Sequence, residues 1–206
     1  MKMRPALLSL ACLALTASAA GQTSLYNNGG PNGNVDAWAI NSGFVTSDTF
    51  TLQAQGDVDG VGFWAWLVPG DVVNSVDVSF TSAENGGTSF FNQILSPTQT
   101  NCAVNQYGYD VCLEGLTIFP VVQLNSGTYW LNLSNATTGN GDEVYWDEDS
   151  GPSQASINTL GTIPSESFNI VGYGTTSSQT LPEPGSILLF GSGIVAAVGL
   201  MRRWLP

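Results

Sequence analysis

Residues 76–80 read Val-Asp-Val-Ser-Phe, and residues 129–133 read Tyr-Trp-Leu-Asn-Leu. In both segments apolar and polar side chains alternate with a period of two, which is the pattern of a β-strand with one buried face. Further segments with strand character cover residues 35–40, 48–52, 61–67, 116–124 and 167–171. No stretch between them keeps a helical period, so the sequence predicts an all-β domain.

Turn-forming residues separate these predicted strands. The clearest turns are Pro69-Gly70, Asn85-Gly86-Gly87, Asn125-Ser126-Gly127 and Gly139-Asn140-Gly141. Glycine and asparagine tolerate the backbone angles of tight turns, and proline presets one of them. Many short strands with such turns predict a β-sandwich of the jelly-roll type over residues 21–174. We expect residues 27–34 and 175–181 to be flexible flanks, the second being a linker.

The charge distribution restricts the possible functions. The four basic residues lie at the two ends of the chain: Lys2, Arg4, Arg202 and Arg203. There is no histidine, and of the 16 acidic residues only Glu183 lies outside residues 21–180. A domain without cations is unsuited to nucleic-acid phosphates. A serine nucleophile would also lack a histidine or lysine base, so we predict no enzyme activity, no nucleic-acid partner and no required cofactor.

The amino-terminal segment has the order of a secretory signal peptide. Lys2 and Arg4 precede an apolar run at residues 6–15, and small residues follow at 17–20. A first core helix would need a polar face, which this run lacks. Residues 1–20 are therefore predicted to be a signal peptide that is cleaved after Ala19 or Ala20, so the protein is expected to be exported.

The carboxy-terminal segment has the features of a membrane anchor. Residues 185–201 are uncharged, and Arg202 and Arg203 follow at once. At 1.5 Å per residue this run spans roughly 26 Å as a helix, which is adequate for a thin membrane or a temporary anchor. Basic residues after an apolar helix remain in the cytoplasm, so the helix is predicted to cross the inner membrane with the preceding domain facing outward.

The order Pro182-Glu183-Pro184, apolar helix and Arg202-Arg203 resembles the PEP-CTERM sorting signal. The resemblance implies that residues 182–206 are recognised and cleaved by the membrane protease exosortase, with the Pro-Glu-Pro tripeptide as the recognition element. It also implies a Gram-negative bacterium, commonly one that makes exopolysaccharide. Stretches such as VDGVGFWAWLVPGD and VYWDEDSGPSQA are similar to the exported domains of this class, to which no activity is attached.

Cys102 and Cys112 are the only cysteines that remain after removal of the signal peptide. An oxidising compartment favours a disulfide between them. Closing a loop of this size stabilises a protein by roughly 3 kcal/mol. A redox-active pair is the alternative, but the Cys-x-x-Cys spacing and a neighbouring cation are both missing. We predict a structural disulfide.

Trp64 and Trp66 are two residues apart in a predicted strand and therefore project from the same face. Such a pair either forms an aromatic platform that stacks on sugar rings or fills the core of the sandwich. The opposite face of this strand, with Phe63, Ala65 and Leu67, is apolar as well, so the segment does not decide between them. We favour the core and keep both tryptophans as candidate glycan contacts.

Two groups of carboxylates are candidate calcium ligands. The first group is Asp57 and Asp59, and the second is Asp142, Glu143, Asp147, Glu148 and Asp149. Carboxylate oxygens in glycine-rich turns suit calcium, although the spacing is not that of an EF-hand. The alternative, which we favour, is that these are solvated acidic loops.

Together these features predict an exported β-sandwich protein of the cell surface or extracellular matrix. It would be sorted by exosortase and held by the membrane until cleavage, with a structural or interaction role in the envelope or exopolysaccharide layer. A carbohydrate-binding module, with or without calcium, is the alternative. A glycoside hydrolase is a remote third function, because carboxylates alone suffice for that chemistry.

Overall fold

The computed structural model describes residues 21–33 and 35–174. The predicted signal peptide, the linker and the sorting signal, including Pro182, Glu183, Pro184, Arg202 and Arg203, lie outside these residues. Within the described ranges every regular element is a strand, which confirms the all-β prediction. None of the described residues belongs to a helix that is long and apolar enough to cross a membrane.

The described residues form thirteen strands. They are β1 Thr23–Asn27, β2 Ala37–Ala39, β3 Val45–Leu52, β4 Gly56–Leu67, β5 Val73–Ala83, β6 Gly86–Leu95, β7 Thr98–Val104, β8 Asp110–Leu124, β9 Gly127–Thr138, β10 Tyr145–Asp147, β11 Ala155–Ile157, β12 Gly161–Ile163 and β13 Phe168–Gly174.

The strands form two antiparallel sheets. The first sheet has the order β1-β13-β4-β10-β2, with β8 paired to β4 and β7 paired to β8. The second has the order β12-β11-β3-β9-β5-β6. One large core cluster draws buried side chains from both sheets. This two-sheet arrangement is consistent with the predicted β-sandwich.

The alternation that predicted the fold is the alternation that builds the core. On β5, Val76, Val78 and Phe80 are fully buried, and on β9 Leu131 and Leu133 are fully buried. Each set occupies every second position of its strand, so one face of each strand packs inward. Both segments that predicted the strands therefore supply a large part of the second sheet's contribution to the core, together with Phe50 and Leu52 of β3 and Phe91 of β6.

Strand β4 is apolar on both faces, and the structure shows which face is buried in the core. Phe63, Ala65 and Leu67 are fully buried in the core. Because neighbouring side chains on a strand point to opposite faces, Trp64 and Trp66 project from the outer face of the first sheet. Neither tryptophan belongs to the core cluster between the sheets, so the interpretation that the pair fills this core is wrong for Trp64, which is half-buried, while Trp66 is buried but on the outer face. The interpretation failed because both faces of the segment are apolar and only the tertiary structure selects the inner one.

The predicted disulfide is present. Cys102 on β7 and Cys112 on β8 are bonded, with their Cα atoms 4.1 Å apart. The bond joins the two strands of one hairpin at the edge of the first sheet. This hairpin also carries side chains that line the candidate site.

Candidate functional site

A depression of about 280 Å³ opens on the outer face of the first sheet, with Trp64 in its wall. We call it the Trp64 depression. The residues that give it its chemical character are Pro31, Asn32, Trp64, Asn101, Asn105 and Val111. They come from the segment before β2, from β4, and from the β7–β8 hairpin. Three parts of the sequence that are far apart therefore meet at one surface.

The β7–β8 hairpin forms one wall. A bulge between Thr100 and Ala103 places Asn101 in a left-handed conformation, with φ at 54°. At the tip, the Asn105 side-chain oxygen accepts hydrogen bonds from the backbone N–H groups of Tyr107 and Tyr109, both at 3.0 Å. These bonds and the nearby disulfide fix the wall without help from a ligand.

The side-chain nitrogen of Asn105 is buried, and no group in the described part of the chain accepts a hydrogen bond from it. A buried donor without an acceptor costs about 1–3 kcal/mol. Since Asn105 lines the Trp64 depression, a ligand with an acceptor oxygen can remove that cost. The unsatisfied donor is the feature of the wall that points most directly to a polar ligand.

The opposite wall is formed by residues 31–33, which belong to a segment that we expected to be flexible. The Gly33 N–H lies 3.1 and 3.2 Å from the two carboxylate oxygens of Asp147. The indole N–H of Trp66 donates to the same carboxylate. Asp147 is fully buried and so holds residues 31–33 against the sheet. This contact ties part of the predicted flexible flank to a distant buried acceptor.

Burial raises the pKa of Asp147 to about 6, while the hydrogen bonds from Trp66 and Gly33 act in the opposite direction. The carboxylate is therefore held by donors rather than by a cation. Its role here is to position the wall of the depression.

Trp64 and Trp66 have different environments although they share a face. Trp66 is only 6% exposed, and its ring stacks on Tyr107 with the centroids 5.7 Å apart. Trp64 is half-buried and lines the open depression. Trp66 instead borders a smaller hollow of about 130 Å³ together with Tyr109 and Tyr145. Of the two candidate glycan contacts, Trp64 is the one with room for a ligand.

No charged side chain lines the Trp64 depression as the described residues form it. Its surface combines one indole ring, small apolar groups and three asparagine side chains. Ligand sites are mostly apolar with a few placed polar groups, and aromatic rings provide flat apolar contact. This surface suits a neutral ligand that has both an apolar face and hydroxyl groups, as a sugar ring has.

The structure does not gather the predicted calcium ligands into one site. Asp147 is buried beside Trp66, whereas Asp142 lies near Asp71 and Glu143. Asp149 is buried, and its carboxylate is held by backbone N–H groups of its own loop, at Gly151 and Ser150. Glu148 interacts with Trp38 and Asp36. Across the described ranges no group of three or more Asp, Glu, Cys or His side chains is arranged to hold a metal ion.

The first pair of candidate calcium ligands has amide partners. The Asp57 carboxylate accepts a hydrogen bond from Gln123 at 3.1 Å. The Asp59 carboxylate accepts one from Gln22 at 2.8 Å. Both contacts are exposed, and each amide ties β4 to a neighbouring part of the chain.

Three fully buried carboxyl groups were not singled out from the sequence. Burial raises the pKa of Asp48 to about 7 and that of Glu114 to about 7, and it raises the pKa of Glu166 well above its usual range. Asp48 accepts hydrogen bonds from the backbone of Glu166 and Thr49 at 2.7 and 2.6 Å. No partner of the Glu114 or Glu166 carboxyl oxygens occurs in the described ranges.

The burial of Glu114 could have been predicted from the sequence. Glu114 shares the inner face of β8 with the buried residues Cys112, Leu116 and Ile118. It therefore occupies an apolar position of a period-two pattern. Glu166 follows no such pattern, because it lies in an irregular segment before β13.

The fold and the depression together define an all-β protein of two packed sheets with a neutral, tryptophan-walled surface site. No protein-family model matches the chain, and no curated protein matches it either.

Proposed function

We propose that this chain is an exported protein of the cell surface or extracellular matrix that binds neutral glycan chains of the exopolysaccharide layer without cleaving them. The observation that carries the proposal is the Trp64 depression. It presents a half-buried indole ring together with the side chains of Asn101 and Asn105 on one surface, and the Asn105 amide nitrogen behind that surface has no acceptor among the described residues. A pyranose ring can stack one face on the indole ring of Trp64, and its oxygen atoms can accept hydrogen bonds from asparagine amide groups.

Binding rather than hydrolysis is supported by the lining of the depression. Glycosidases place two carboxyl groups about 5–10 Å apart on either side of the scissile bond. Among the described residues that line the Trp64 depression there is no aspartate or glutamate. The buried Asp147 lies behind the wall, where Trp66 and Gly33 occupy its oxygens.

A binding experiment with glycans tests this function. On an array of neutral and anionic glycans, the protein made in the periplasm should bind neutral hexose chains. Trp64→Ala should weaken this binding at least tenfold, which corresponds to about 1.4 kcal/mol. Ile94→Ala, which removes an exposed apolar side chain from the edge strand β6, is the matched control and should bind as the wild type does.

Two results would contradict the proposal. Equal glycan binding by the wild type and Trp64→Ala would remove the depression as the site. Release of reducing ends from a bound glycan would identify a hydrolase instead of a binding protein.

The proposed location and processing rest on the two ends of the sequence. Signal peptidase would release residues 1–20, residues 185–201 would hold the protein in the inner membrane, and exosortase would act at Pro182-Glu183-Pro184. In a host with exosortase, replacing this tripeptide with three alanines should leave an uncut, membrane-held form. Intact-mass analysis that found the same mature terminus in both proteins would exclude this processing route.

A further inference from the structure

A second cleft, of about 760 Å³, opens beside the second sheet. Trp130 on β9 forms part of its wall, and we call it the Trp130 cleft. The remaining walls come from the β5–β6 turn at residues 82–84 and from the segments 149–155 and 162–165. None of these residues belongs to the Trp64 depression.

The tryptophans of the two cavities project from opposite outer faces of the sandwich. Tyr129, Leu131 and Leu133 on β9 pack into the core, so Trp130 projects from the outer face of the second sheet. Trp64 projects from the outer face of the first sheet by the same argument. Packed sheets are about 10 Å apart, and each tryptophan lies beyond its own sheet. One sugar ring cannot contact both.

Hydrogen bonds join the segments that line the Trp130 cleft to one another and to the second sheet. The hydroxyl groups of Ser153 and Ser165 are 2.6 Å apart, and the buried Asn28 amide donates to both, at 2.7 and 2.6 Å. The Gln154 backbone exchanges hydrogen bonds with Thr49 on β3, at 2.9 and 3.1 Å. A preformed site binds without the cost of ordering its walls.

The lining of the cleft defines the class of ligand. Trp130 and Ile163 supply apolar surface, while serine, threonine and glutamine side chains supply hydroxyl and amide groups. Among the described residues that line the cleft, the charged ones are Glu84 and Asp149. Two carboxylates without a cation disfavour an anionic ligand, whereas a neutral sugar can stack on the indole ring and donate hydroxyl protons to these oxygens.

We propose that the Trp130 cleft is a second glycan site, and that one molecule links two separate neutral glycan chains, one on each outer face of the sandwich. The linking rests on the proposed function of the Trp64 depression, whereas glycan binding by the Trp130 cleft stands on its own geometry. A rigid domain with two sites that face apart cannot place both on one short oligosaccharide. Such a domain instead links two glycan chains, and many linked molecules along each polymer strengthen the cross-linked network by multivalency.

The two sites can be observed separately by nuclear magnetic resonance. The protein is titrated with cellohexaose, laminarihexaose and mannohexaose, and the indole N–H signals of Trp64 and Trp130 are assigned with the phenylalanine variant of each. With the hexasaccharide that binds, both signals should shift. Trp130→Ala should abolish binding in its cleft and leave the dissociation constant at Trp64 within twofold of the wild type, and Trp64→Ala should do the converse.

Linking is measured with soluble polymers, namely hydroxyethylcellulose, laminarin and galactomannan. Light scattering should rise when the wild type is mixed with the polymer whose oligosaccharide it binds, and either single alanine variant should give no rise. Ile94→Ala should behave as the wild type. Trp130→Phe keeps an aromatic ring and should retain linking, which separates loss of stacking from loss of folding.

Each outcome decides between the hypotheses. A shift of the Trp64 signal alone overturns the second site and leaves the proposed function standing. A shift of the Trp130 signal alone supports the cleft but overturns both the linking and the proposed role of Trp64. No shift of either signal with any of the three hexasaccharides overturns both sites. Two shifts without a rise in scattering overturn the linking only.

Discussion

Replacing Glu114 with glutamine should stabilise the protein at pH 8 and leave its stability at pH 4 nearly unchanged. Glu114 is fully buried on the inner face of β8, and neither of its carboxyl oxygens has a partner among the described residues. Burial raises its pKa from 4.5 to about 7. Below pH 4.5 the group is protonated in both the folded and the unfolded protein, so it costs no stability there.

The magnitude follows from linkage. A carboxyl group whose pKa is raised by folding binds its proton more tightly when folded, so the free energy of unfolding falls as the pH rises from 4.5 to about 7. The shift from 4.5 to about 7 corresponds to about 3 kcal/mol at 1.36 kcal/mol per pH unit. Water that enters on ionisation makes this an upper value. Glutamine has the same shape and no proton to lose, so it removes this cost above pH 7.

Urea unfolding at pH 4 and pH 8 measures the effect. The difference in unfolding free energy between Glu114→Gln and the wild type should grow by up to about 3 kcal/mol between the two pH values. Glu84→Gln removes an exposed carboxylate from the β5–β6 turn and serves as the control for net charge. The same difference at both pH values, or a larger stabilisation at pH 4, would refute the argument.

Three further predictions concern the disulfide, the charge and the ligand. Reduction of the Cys102–Cys112 bond should lower the melting temperature, since closing a loop of this size stabilises by roughly 3 kcal/mol; two titratable thiols in the unreduced, unfolded protein would contradict the pairing. Sodium chloride should raise the melting temperature modestly because it screens the repulsion between carboxylates. Calcium at the same ionic strength should raise it by the same amount, and a larger shift with calcium would indicate a calcium-binding site. Polygalacturonate should bind at least about tenfold more weakly than a neutral glycan at low salt, and equal affinity would show that charge does not select the ligand.

The sequence predicted the strands that contribute most to the core. The segments 48–52, 61–67, 76–80, 116–124 and 129–133 all lie within strands of the structure. Each carries apolar side chains at the spacing of a strand, so burial and local pattern agree. The strand boundaries were less accurate, and β4 begins at Gly56 rather than at residue 61.

The strands that were not predicted lack that pattern. Strand β6 and strand β7 are mostly exposed at the edges of the two sheets. The sequence of β7 is largely polar, and the large apolar residues of β6 occur as the adjacent pairs Phe90-Phe91 and Ile94-Leu95, which do not alternate with polar ones. Strands β10, β11 and β12 have three residues each, which is too short for a periodic signal. These strands form because they pair with neighbouring strands, and a local sequence pattern does not reveal such pairing.

The candidate site was predictable only in part. The spacing of Trp64 and Trp66 correctly placed them on one face, but the burial of Trp66 depends on Tyr107, which reaches it from another hairpin. Asn105 and Gly33 meet Trp64 through contacts between distant segments. The acidic run at residues 142–149 suggested a calcium site, but its strand β10 sends Trp146 into the core and Asp147 to the outer face.

The lack of basic side chains in residues 21–174 connects the buried carboxyl groups with the character of the two cavities. A buried carboxyl group is accommodated by a cation, by hydrogen-bond donors or by remaining protonated. Burial raises the pKa of both groups, but Asp147 has N–H donors and its pKa rises only to about 6, whereas Glu114 has no donor among the described residues and its pKa rises to about 7. The same composition leaves the Trp64 depression and the Trp130 cleft without any group that attracts an anion. Recognition in the Trp64 depression must come from aromatic contact and neutral hydrogen bonds, and in the Trp130 cleft from aromatic contact and hydrogen bonds that include the carboxylates of Glu84 and Asp149. A neutral glycan therefore fits both surfaces better than an acidic one does.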